Sequence, residues 1–416
     1  MKSSEQTIYD VIVIGGGPAG MMAAGTAVSR GKSVLLIEKN KRLGEKLRIT
    51  GGGRCNITNN EPDIKKLLKQ YGSAEQFLYS AFSEFSVTDT FSFFESHTLP
   101  LVTEANNRSF PHTFNATDVE QVLENYCKQN KVVIANNTKV LNIILEQGNI
   151  TGVTTTIGDY FARSVIIATG GFSHPETGST GDGFHWLETL GHTVTKPTPS
   201  IVPIKVSDEW IKKIAGTTLP DVKINFSVSD SKKFSIKGNI LLTHFGLSGP
   251  LILNTATKIQ DLLYQGTVTG TIDLFPHKDI GTLDTELVQL FDNHKNKAVK
   301  NILKEFIPPK ITAILPFFIS NELLETKVNS INKTDRRKII NIVKSLPFTV
   351  EGLMGFDRAV VADGGVPLSE MNMKTMQSNI YKNLFIIGDL LHINRPSGGF
   401  SLQLCWTTGY VAGKNV

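Results

Sequence analysis

The feature that most constrains this chain is a strand–turn–helix signature near its start. The apolar run Val11–Ile14 leads into Gly15, Gly17 and Gly20 at the spacing G-x-G-x-x-G, and a second apolar run ends at Glu38. These are the parts of one βαβ nucleotide-binding unit. Gly15 permits a tight turn, Gly17 lets backbone approach a pyrophosphate, and Gly20 lets the following helix pack closely on the strand.

This unit also restricts which nucleotide it can bind. The helix that follows the turn offers free N–H groups and partial positive charge to phosphates. We expect Glu38, at the end of the second strand, to accept hydrogen bonds from ribose hydroxyls. A 2′-phosphate beside this carboxylate would be repelled, so NADP is disfavoured here. The motif alone leaves NAD and FAD open as the bound dinucleotide.

Composition excludes several other classes of protein. The chain has 416 residues, of which 40% are hydrophobic and 19% charged, which is typical of a soluble globular protein of two or three domains. No apolar stretch reaches the roughly 18 residues that span a bilayer, and residues 1–9 lack a secretory apolar core. The widely spaced Cys55, Cys127 and Cys405 argue against disulfides and favour the cytoplasm. No metal site is predicted.

The pattern of elements predicts an α/β protein whose nucleotide-binding domain is split in sequence. Its first part is residues 1–195, in which a later strand enters Ala168-Thr169-Gly170. Residues 196–350 are predicted to be an inserted substrate module, with antiparallel, barrel-like strands over 196–276 and helices over 277–346. Residues 351–416 complete the nucleotide-binding domain, because a strand there ends at Gly388-Asp389 and a glycine turn enters a helix.

The helical part of the insert carries most of the excess positive charge. The formal net charge is +5, and residues 277–346 contain twelve Lys/Arg and eight Asp/Glu residues. A solvated helical face is one interpretation, and a patch for an anionic partner such as RNA is the other. The residues that motivate the second interpretation are Lys295, Lys297, Lys300, Lys304, Arg336, Arg337 and Lys338.

Several longer motifs resemble those of one protein family. They are Thr50–Asn59 (TGGGRCNITN), Ala168–Gly183, Leu242–Pro250 (LTHFGLSGP), Ala362–Val366 and Gly388–Gly413. Together with the glycine signature they resemble the BaiN/RdsA-type bacterial flavoproteins, which are NAD(P)/FAD-dependent oxidoreductases of the two-dinucleotide-binding-domain class. The resemblance covers nearly the whole chain. It implies a Rossmann-like FAD-binding domain, and FAD rather than NAD in the N-terminal pocket.

The resemblance further implies a position for each part of FAD. The N-terminal glycines would bind the pyrophosphate and Glu38 the adenosine ribose, while Val140 would offer backbone to the adenine. Asp389 would bind the ribityl chain or the pyrophosphate region. The implied cofactor-binding set is Gly15, Gly17, Pro18, Ala19, Gly20, Glu38, Lys39, Gly51, Gly52, Gly53, Arg54, Asn56, Val140, Ala168, Thr169, Gly170, Gly388, Asp389, Gly399, Phe400 and Ser401.

The glycine turn before the last helix has an expected electrostatic role. It would aim that helix N-terminus at the pyrimidine edge of the isoalloxazine, where reduced flavin carries negative charge. Two departures from the family pattern occur here. Asp389 stands where many relatives have Glu, and Phe400-Ser401 stands where many have Tyr-Asn, so the acid is shorter and an amide is lost.

The family resemblance suggests the chemistry more clearly than the substrate. Members transfer a hydride to a C=C bond conjugated to a carbonyl, and an acid protonates the adjacent carbon. Cys55 and His244 are the candidate acids, although a structural role is an alternative for both. Since no second G-x-G-x-x-G unit is found, NAD(P)H would bind transiently as the electron donor.

Three hypotheses about function follow. The first is an FAD-dependent, NAD(P)H-driven reductase of a small enone-like molecule. The second is a dihydrouridine synthase that reduces a uracil ring of ribosomal RNA. The third is a flavin-binding scaffold or sensor without turnover. The sequence predicts no membrane association and leaves the oligomeric state open.

Overall fold

The computed structural model describes residues 7–229 and 231–416. Residues 1–6, part of the stretch for which no secretory segment is predicted, lie outside the described residues. The chain divides into two compact units: Met1–Ser200 with Phe356–Val416, here called the split unit, and Ile201–Gly355, here called the inserted unit.

In the split unit, strands and helices alternate along the sequence. Its strands are β1 (Ile8–Ile14), β2 (Val34–Ile37), β3 (Thr58–Asn59), β4 (Leu101–Glu104), β5 (Arg108–Pro111), β6 (Val133–Ala135), β7 (Val140–Glu146), β8 (Asn149–Thr155), β9 (Gly158–Ile167), β10 (Thr195–Ser200), β17 (Val361–Gly365), β18 (Met371–Asn372), β19 (Gln377–Ser378) and β20 (Leu384–Ile386). Its helices are α1 (Pro18–Ser29), α2 (Glu45–Ile49), α3 (Ile64–Lys69), α4 (Glu75–Glu84), α5 (Val87–Ser96), α6 (Ala116–Gln129), α7 (Asp182–Thr189) and α16 (Phe400–Asn415).

A parallel sheet forms the centre of the split unit. Its order is β20-β9-β1-β2-β6, and every neighbouring pair in this run is parallel. The pairing aligns the last residues of four strands, Ile37, Ile14, Ile167 and Ile386, in one row. All four are buried, as expected where a parallel sheet is covered on both faces. The segments that follow these strands therefore start from one edge of the sheet.

The first and last helices of the split unit cross at very short range. A Cβ atom added at Gly409 would lie 2.5 Å from the Ala19 carbonyl oxygen, and one added at Gly413 would lie 2.4 Å from that of Ala23. Only glycine permits this approach of one backbone to another. The crossing places the N-terminus of α1 and the segment before α16 in the same region of the molecule.

Buried polar groups fix α16 further. Gln403 is completely buried and its amide oxygen accepts from the hydroxyls of Thr58, at 2.6 Å, and Thr90, at 3.0 Å. The Trp406 indole donates to the Ile57 carbonyl at 2.9 Å. Because an unpaired buried polar group is costly, these bonds specify the position of the helix along its axis.

The inserted unit contains a closed barrel followed by helices. Its described strands pair antiparallel in the order β11-β14-β13-β12-β15-β16. They are β11 (Ile204–Val206), β12 (Thr218–Val228), β13 (Ser231–Thr243), β14 (Gly246–Ser248), β15 (Val268–Asp273) and β16 (Leu346–Leu353). The helices are α8 (Glu209–Lys213), α9 (Pro250–Leu253), α10 (Ala256–Leu263), α11 (Ile280–Asp292), α12 (Val299–Phe306), α13 (Pro309–Thr312), α14 (Asn321–Glu325) and α15 (Lys333–Lys344).

This architecture confirms the predicted fold class, an α/β domain split in sequence with a barrel-like and helical insert. Inward-facing residues of β12 alternate with polar ones, and Ile224, Phe226 and Val228 lie in the barrel core. Within the described parts of the chain, no helix is both long and apolar enough to cross a bilayer.

The close helix crossing makes a testable demand on Gly409. We expect Gly409→Ala to lower the free energy of unfolding by about 1–3 kcal/mol, because the added methyl group meets backbone that cannot move aside. Gly281→Ala is the matched control, since Gly281 is an exposed helical residue whose added Cβ has an ordinary contact of 3.4 Å. Denaturant unfolding measures both. Equal stability of the two variants would contradict the assigned crossing.

Candidate dinucleotide-binding site

A cavity of the split unit lies at the carboxyl edge of the parallel sheet. The space between its walls, counted out to its open mouth, is about 850 Å³. Ligands in open α/β sheets bind at this edge. Of the predicted cofactor-binding residues, its wall contains Gly15, Gly17, Pro18, Ala19, Glu38, Lys39, Val140, Ala168, Thr169, Gly170, Gly388 and Asp389.

The three N-terminal glycines have different surroundings. A Cβ atom at Gly15 would lie 2.5 Å from the Ala168 carbonyl oxygen, and one at Gly20 would lie 1.9 Å from that of Gly15. A Cβ atom at Gly17 would meet no heavy atom within 4 Å. Gly15 and Gly20 are therefore required by packing, whereas Gly17 leaves open a space that a side chain would fill. Such a cradle fits a dinucleotide pyrophosphate.

The start of α1 adds hydrogen-bond donors to this cradle. Gly17 caps the helix and Pro18 occupies its first position. The Met21 amide already donates to the Gly17 carbonyl at 2.9 Å. The first amides of a helix have no partner within it, so those of Ala19 and Gly20 remain to donate to an anion, helped by the helix dipole.

Glu38 is held by two backbone amides at the rim of β2. Its Oε2 accepts from the Gly16 amide at 2.7 Å and its Oε1 from the Asn40 amide at 2.8 Å. Burial raises the pKa of Glu38, while these two amides favour the ionised form. Each carboxylate oxygen has a second lone pair, so this fixed side chain can also accept from a ribose hydroxyl.

A second group of polar residues lines the cavity near Glu38. Lys39 contacts the Asp182 carboxylate and the Thr180 hydroxyl, both at 2.6 Å. Burial opposes ionisation of Asp182, but Lys39 and Thr180 outweigh it and the pKa is lowered. The Trp186 indole, which donates to the Leu141 carbonyl at 3.0 Å, lies beside Val140 in the wall. Sequence analysis missed Asp182 and Trp186, although the motif Ala168–Gly183 pointed toward this region.

A compact charge cluster lies where the wall reaches Asp389. The Lys46 ammonium is 3.4 Å from one oxygen of Asp389, and the Arg395 guanidinium contacts the other. Burial opposes ionisation of Asp389, but Arg395 and Lys46 outweigh it, so its pKa is lowered. Neither Lys46 nor Arg395 was a predicted site residue. Lys46 stands just before the motif Thr50–Asn59, and Arg395 lies within the motif Gly388–Gly413.

The predicted glycine loop does not line this cavity. Gly51, Gly52 and Gly53 all have positive φ, between 63° and 83°, and form an exposed to half-exposed turn after α2. Arg54 instead contacts the Glu104 carboxylate at 2.5 Å. Its guanidinium also lies 4.3 and 4.6 Å from the ring centres of Phe110 and Phe114, respectively. These contacts account for Arg54 without a ligand, and its predicted role in cofactor binding stays a prediction.

The predicted residues around the α16 turn connect with one another rather than with the cavity wall. Oriented so that both ends of its amide are paired, Asn56 accepts from the Gly399 amide at 3.0 Å. A Cβ atom at Gly399 would lie 2.4 Å from the Thr58 carbonyl oxygen. Phe400 is buried, and Ser401 accepts from Arg395 at 3.0 Å. Through Arg395 this group is joined to Asp389, which does line the cavity.

The two candidate acids lie in different units. Cys55 is completely buried in the split unit, its φ is 58°, and burial raises its pKa above the ordinary value. His244 is exposed on the turn between β13 and β14 of the inserted unit. A different cysteine, Cys405, lines the cavity, and burial raises its pKa to about 12. Among the described residues no cluster suited to a metal ion is present.

Comparison with known proteins gives a match over nearly the whole chain. A family model described as "HI0933-like protein Rossmann domain" matches residues 9–415. The chain is 29% identical over 414 residues to a 3-dehydro-bile acid delta(4,6)-reductase of Clostridium scindens, covering 97% of each protein. It is 26% identical over 413 residues to the ribosomal RNA dihydrouridine synthase of Escherichia coli, covering 98% of each.

A solved structure shares the fold. The 3-ketosteroid-delta4-(5alpha)-dehydrogenase of Rhodococcus jostii RHA1 superposes with a TM-score of 0.57 at 13% sequence identity, and the match covers 100% of this chain and 98% of that one. At this identity the likeness concerns the fold alone.

The contrast between Gly17 and Gly20 yields a prediction. Gly17→Ala is expected to leave the unfolding midpoint unchanged and to weaken FAD binding at least about tenfold, or about 1.4 kcal/mol, because its methyl group enters the cradle. Gly20→Ala is expected to lower stability, because its methyl group overlaps the Gly15 carbonyl. Fluorescence titration with FAD and thermal unfolding separate the two effects. Full FAD affinity in Gly17→Ala would show that the cradle is not the pyrophosphate site.

Proposed function

Because the chain belongs to the HI0933-like Rossmann-domain family, an FAD-dependent oxidoreductase family that includes the BaiN/RdsA-type flavoproteins, we propose that it reduces a C=C bond conjugated to a carbonyl, with NAD(P)H as electron donor. One observation carries the proposal. A single cavity joins the Glu38 carboxylate, the open cradle over Gly17 and the charge cluster at Asp389. These are the groups that an extended adenine dinucleotide needs in that order.

The residues present fit FAD in this cavity. Glu38 would accept from the adenosine ribose, and the amides of Ala19 and Gly20 would donate to the pyrophosphate. Val140 and Trp186 would flank the adenine, since both line the same cavity wall as Lys39 and Asp182, next to Glu38. Asp389 and Lys46 would hold the ribityl end of the molecule. The cofactor supplies hydride chemistry when bound, and the protein supplies position and charge.

The chain's own part in the reaction is to bind substrate and deliver a proton. Addition across a conjugated C=C bond puts hydride on one carbon and a proton on the other. Of the two candidate acids, His244 is the exposed one, and imidazole is the side chain that most often serves as a general acid. Cys55 is buried away from solvent, with its pKa raised, which disfavours exchange of protons with a substrate.

Two relatives support saturation of a C=C bond as the shared chemistry. One is named for reduction of a bile acid and the other for formation of dihydrouridine in ribosomal RNA. Both names describe saturation of at least one C=C bond. We therefore propose that this chain also saturates a C=C bond, and that its substrate is a small enone.

Ribosomal RNA is the second candidate substrate. The evidence for it is the basic segment, defined by Lys295, Lys297, Lys300, Lys304, Arg336, Arg337 and Lys338. Four of its seven cations contact carboxylates: Lys297 with Glu305, Lys300 with Glu325, Arg336 with Asp284 and Lys338 with Asp335. Within the described residues, Lys295, Lys304 and Arg337 make no such ion pair. The segment thus offers RNA three unpaired cations, fewer than its composition suggests.

The proposed activity is tested on purified protein loaded with FAD. We expect a yellow protein that NADH or NADPH bleaches without oxygen and that a steroid-type enone reoxidises. Titration with ribosomal RNA instead of enone tests the second candidate, whose binding should weaken steeply with salt. Reoxidation by neither substrate, with normal bleaching, would contradict both. Protein that cannot be loaded with FAD would contradict the whole proposal.

A substitution tests the proton donor. If His244 donates the proton, His244→Gln should slow enone reduction by about 10²-fold or more and leave bleaching by NAD(P)H unchanged. Stopped-flow measurement of the two half-reactions provides this separation. His277→Gln is a matched control, because His277 is also an exposed histidine of the inserted unit. An equal effect of both substitutions, or none of either, would remove His244 from the mechanism.

A further inference from the structure

Arg395 is a nearly buried cation whose bonds connect Asp389 and Ile393 to the start of α16. The residue is 4% exposed and lies in the segment between β20 and α16. Its guanidinium donates to the Asp389 carboxylate, to the Ser401 hydroxyl at 3.0 Å and to the Ile393 carbonyl at 2.7 Å. Ser401 stands in the first turn of α16. One side chain thus links the cavity wall to the start of the last helix.

The charge of Asp389 poses a problem for the cavity as a cofactor site. An ionised carboxylate in the wall repels a diphosphate, and at low local dielectric this repulsion is strong. Two cations contact it, Lys46 on one oxygen and Arg395 on the other. The trio carries one positive charge in sum, so the same stretch of wall attracts an anion.

The two cations are placed differently. Lys46 lines the cavity, its side chain is 23% exposed, and it is 3.4 Å from Asp389. Arg395 has a side chain only 2% exposed and is absent from the wall. Lys46 is therefore available to turn toward a ligand, whereas Arg395 stays on Asp389. Arg395 is therefore the cation that permanently neutralises the Asp389 carboxylate.

We propose that Arg395 is a positioning residue for FAD, which neutralises and orients Asp389 and ties it to the first turn of α16. The inference rests on the proposed binding of FAD. Arg395 acts through Asp389, since only Asp389 reaches the cavity. The lowered pKa of Asp389 agrees with this arrangement, because burial alone would favour the protonated acid. The guanidinium also presents its three nitrogens in one plane, one each to Asp389, Ser401 and the Ile393 carbonyl, which a lysine ammonium does not.

The test is a double-mutant cycle on FAD affinity. We expect Arg395→Gln to raise the Kd for FAD about tenfold or more, because Asp389 keeps its charge without its main partner. Arg395→Lys should recover most of the affinity. In the Asp389→Asn background, Arg395→Gln should cost much less than in the wild type, since no carboxylate remains to neutralise. Fluorescence quenching of FAD gives each Kd.

A second ligand separates this role from general damage to the fold. AMP spans only the adenosine end and one phosphate, so Arg395→Gln should leave its Kd unchanged while that for FAD rises. Arg336→Gln is the matched control, because Arg336 makes a comparable pair with Asp284 in the inserted unit and lines no part of the cavity. It should leave both values unchanged. Thermal unfolding of each apo-protein accompanies the titrations.

The outcomes are distinct. Unchanged FAD affinity in Arg395→Gln, or an equal loss in both Asp389 backgrounds, would overturn the role of Arg395 while leaving FAD binding intact. Equal loss of AMP and FAD would also overturn it, in favour of a structural role. If Arg395→Gln fails to fold, the Kd for FAD of Asp389→Asn is compared with that of the double variant. A loss of affinity of about tenfold or more between these two variants would overturn the role of Arg395. Wild-type protein that binds no FAD would instead overturn the proposed function itself.

Discussion

The contact between α1 and α16 is the interaction on which the rest of the split unit depends. Two glycines of the last helix allow its backbone to touch that of the first, and no larger residue fits there. The crossing brings together chain segments nearly 400 residues apart in sequence. As a result, the turn at Gly15–Gly20 and the segment at Gly388–Asp389 line one cavity. A 155-residue unit can be inserted between them because the strands on either side pair in the same sheet.

Charge is distributed along that cavity in a way that suits a dinucleotide. Glu38, held by backbone amides, lies at one end of the cavity, and the free amides at the start of α1 lie in the middle. Asp389, paired with two cations, lies at the other end. Each acid would be unfavourable beside a diphosphate if left alone. The amides of Gly16 and Asn40 offset the charge of Glu38, and Arg395 neutralises Asp389. The structure thus keeps acceptors for hydroxyls without repelling phosphates.

Much of this site was predictable because it depends on local sequence and on strand ends. Gly15, Glu38, Ala168 and Gly388 each follow a strand of the parallel sheet, and such positions meet at one edge by topology. The fold class, including the barrel-like insert, was predicted for the same reason: alternation and glycine turns are local signals. The predicted binding roles of these residues stay predictions, but the structure places them on one cavity.

The parts of the site that the sequence did not predict depend on contacts between residues far apart in sequence. Arg54 was predicted beside the flavin, yet its guanidinium contacts Glu104, Phe110 and Phe114, which lie 50 to 60 residues later in sequence. Cys405 and Arg395 acquire their places only through the position of α16. The basic segment was read from composition, which does not show which cations contact carboxylates.

The most direct measurement is a crystal structure of the protein grown with FAD. Our account predicts the diphosphate over Gly17, within hydrogen-bond distance of the Ala19 and Gly20 amides, with the adenosine ribose at Glu38 and the flavin end beside Asp389. FAD bound elsewhere, or a cavity closed by side chains with FAD absent at saturating concentration, would contradict it.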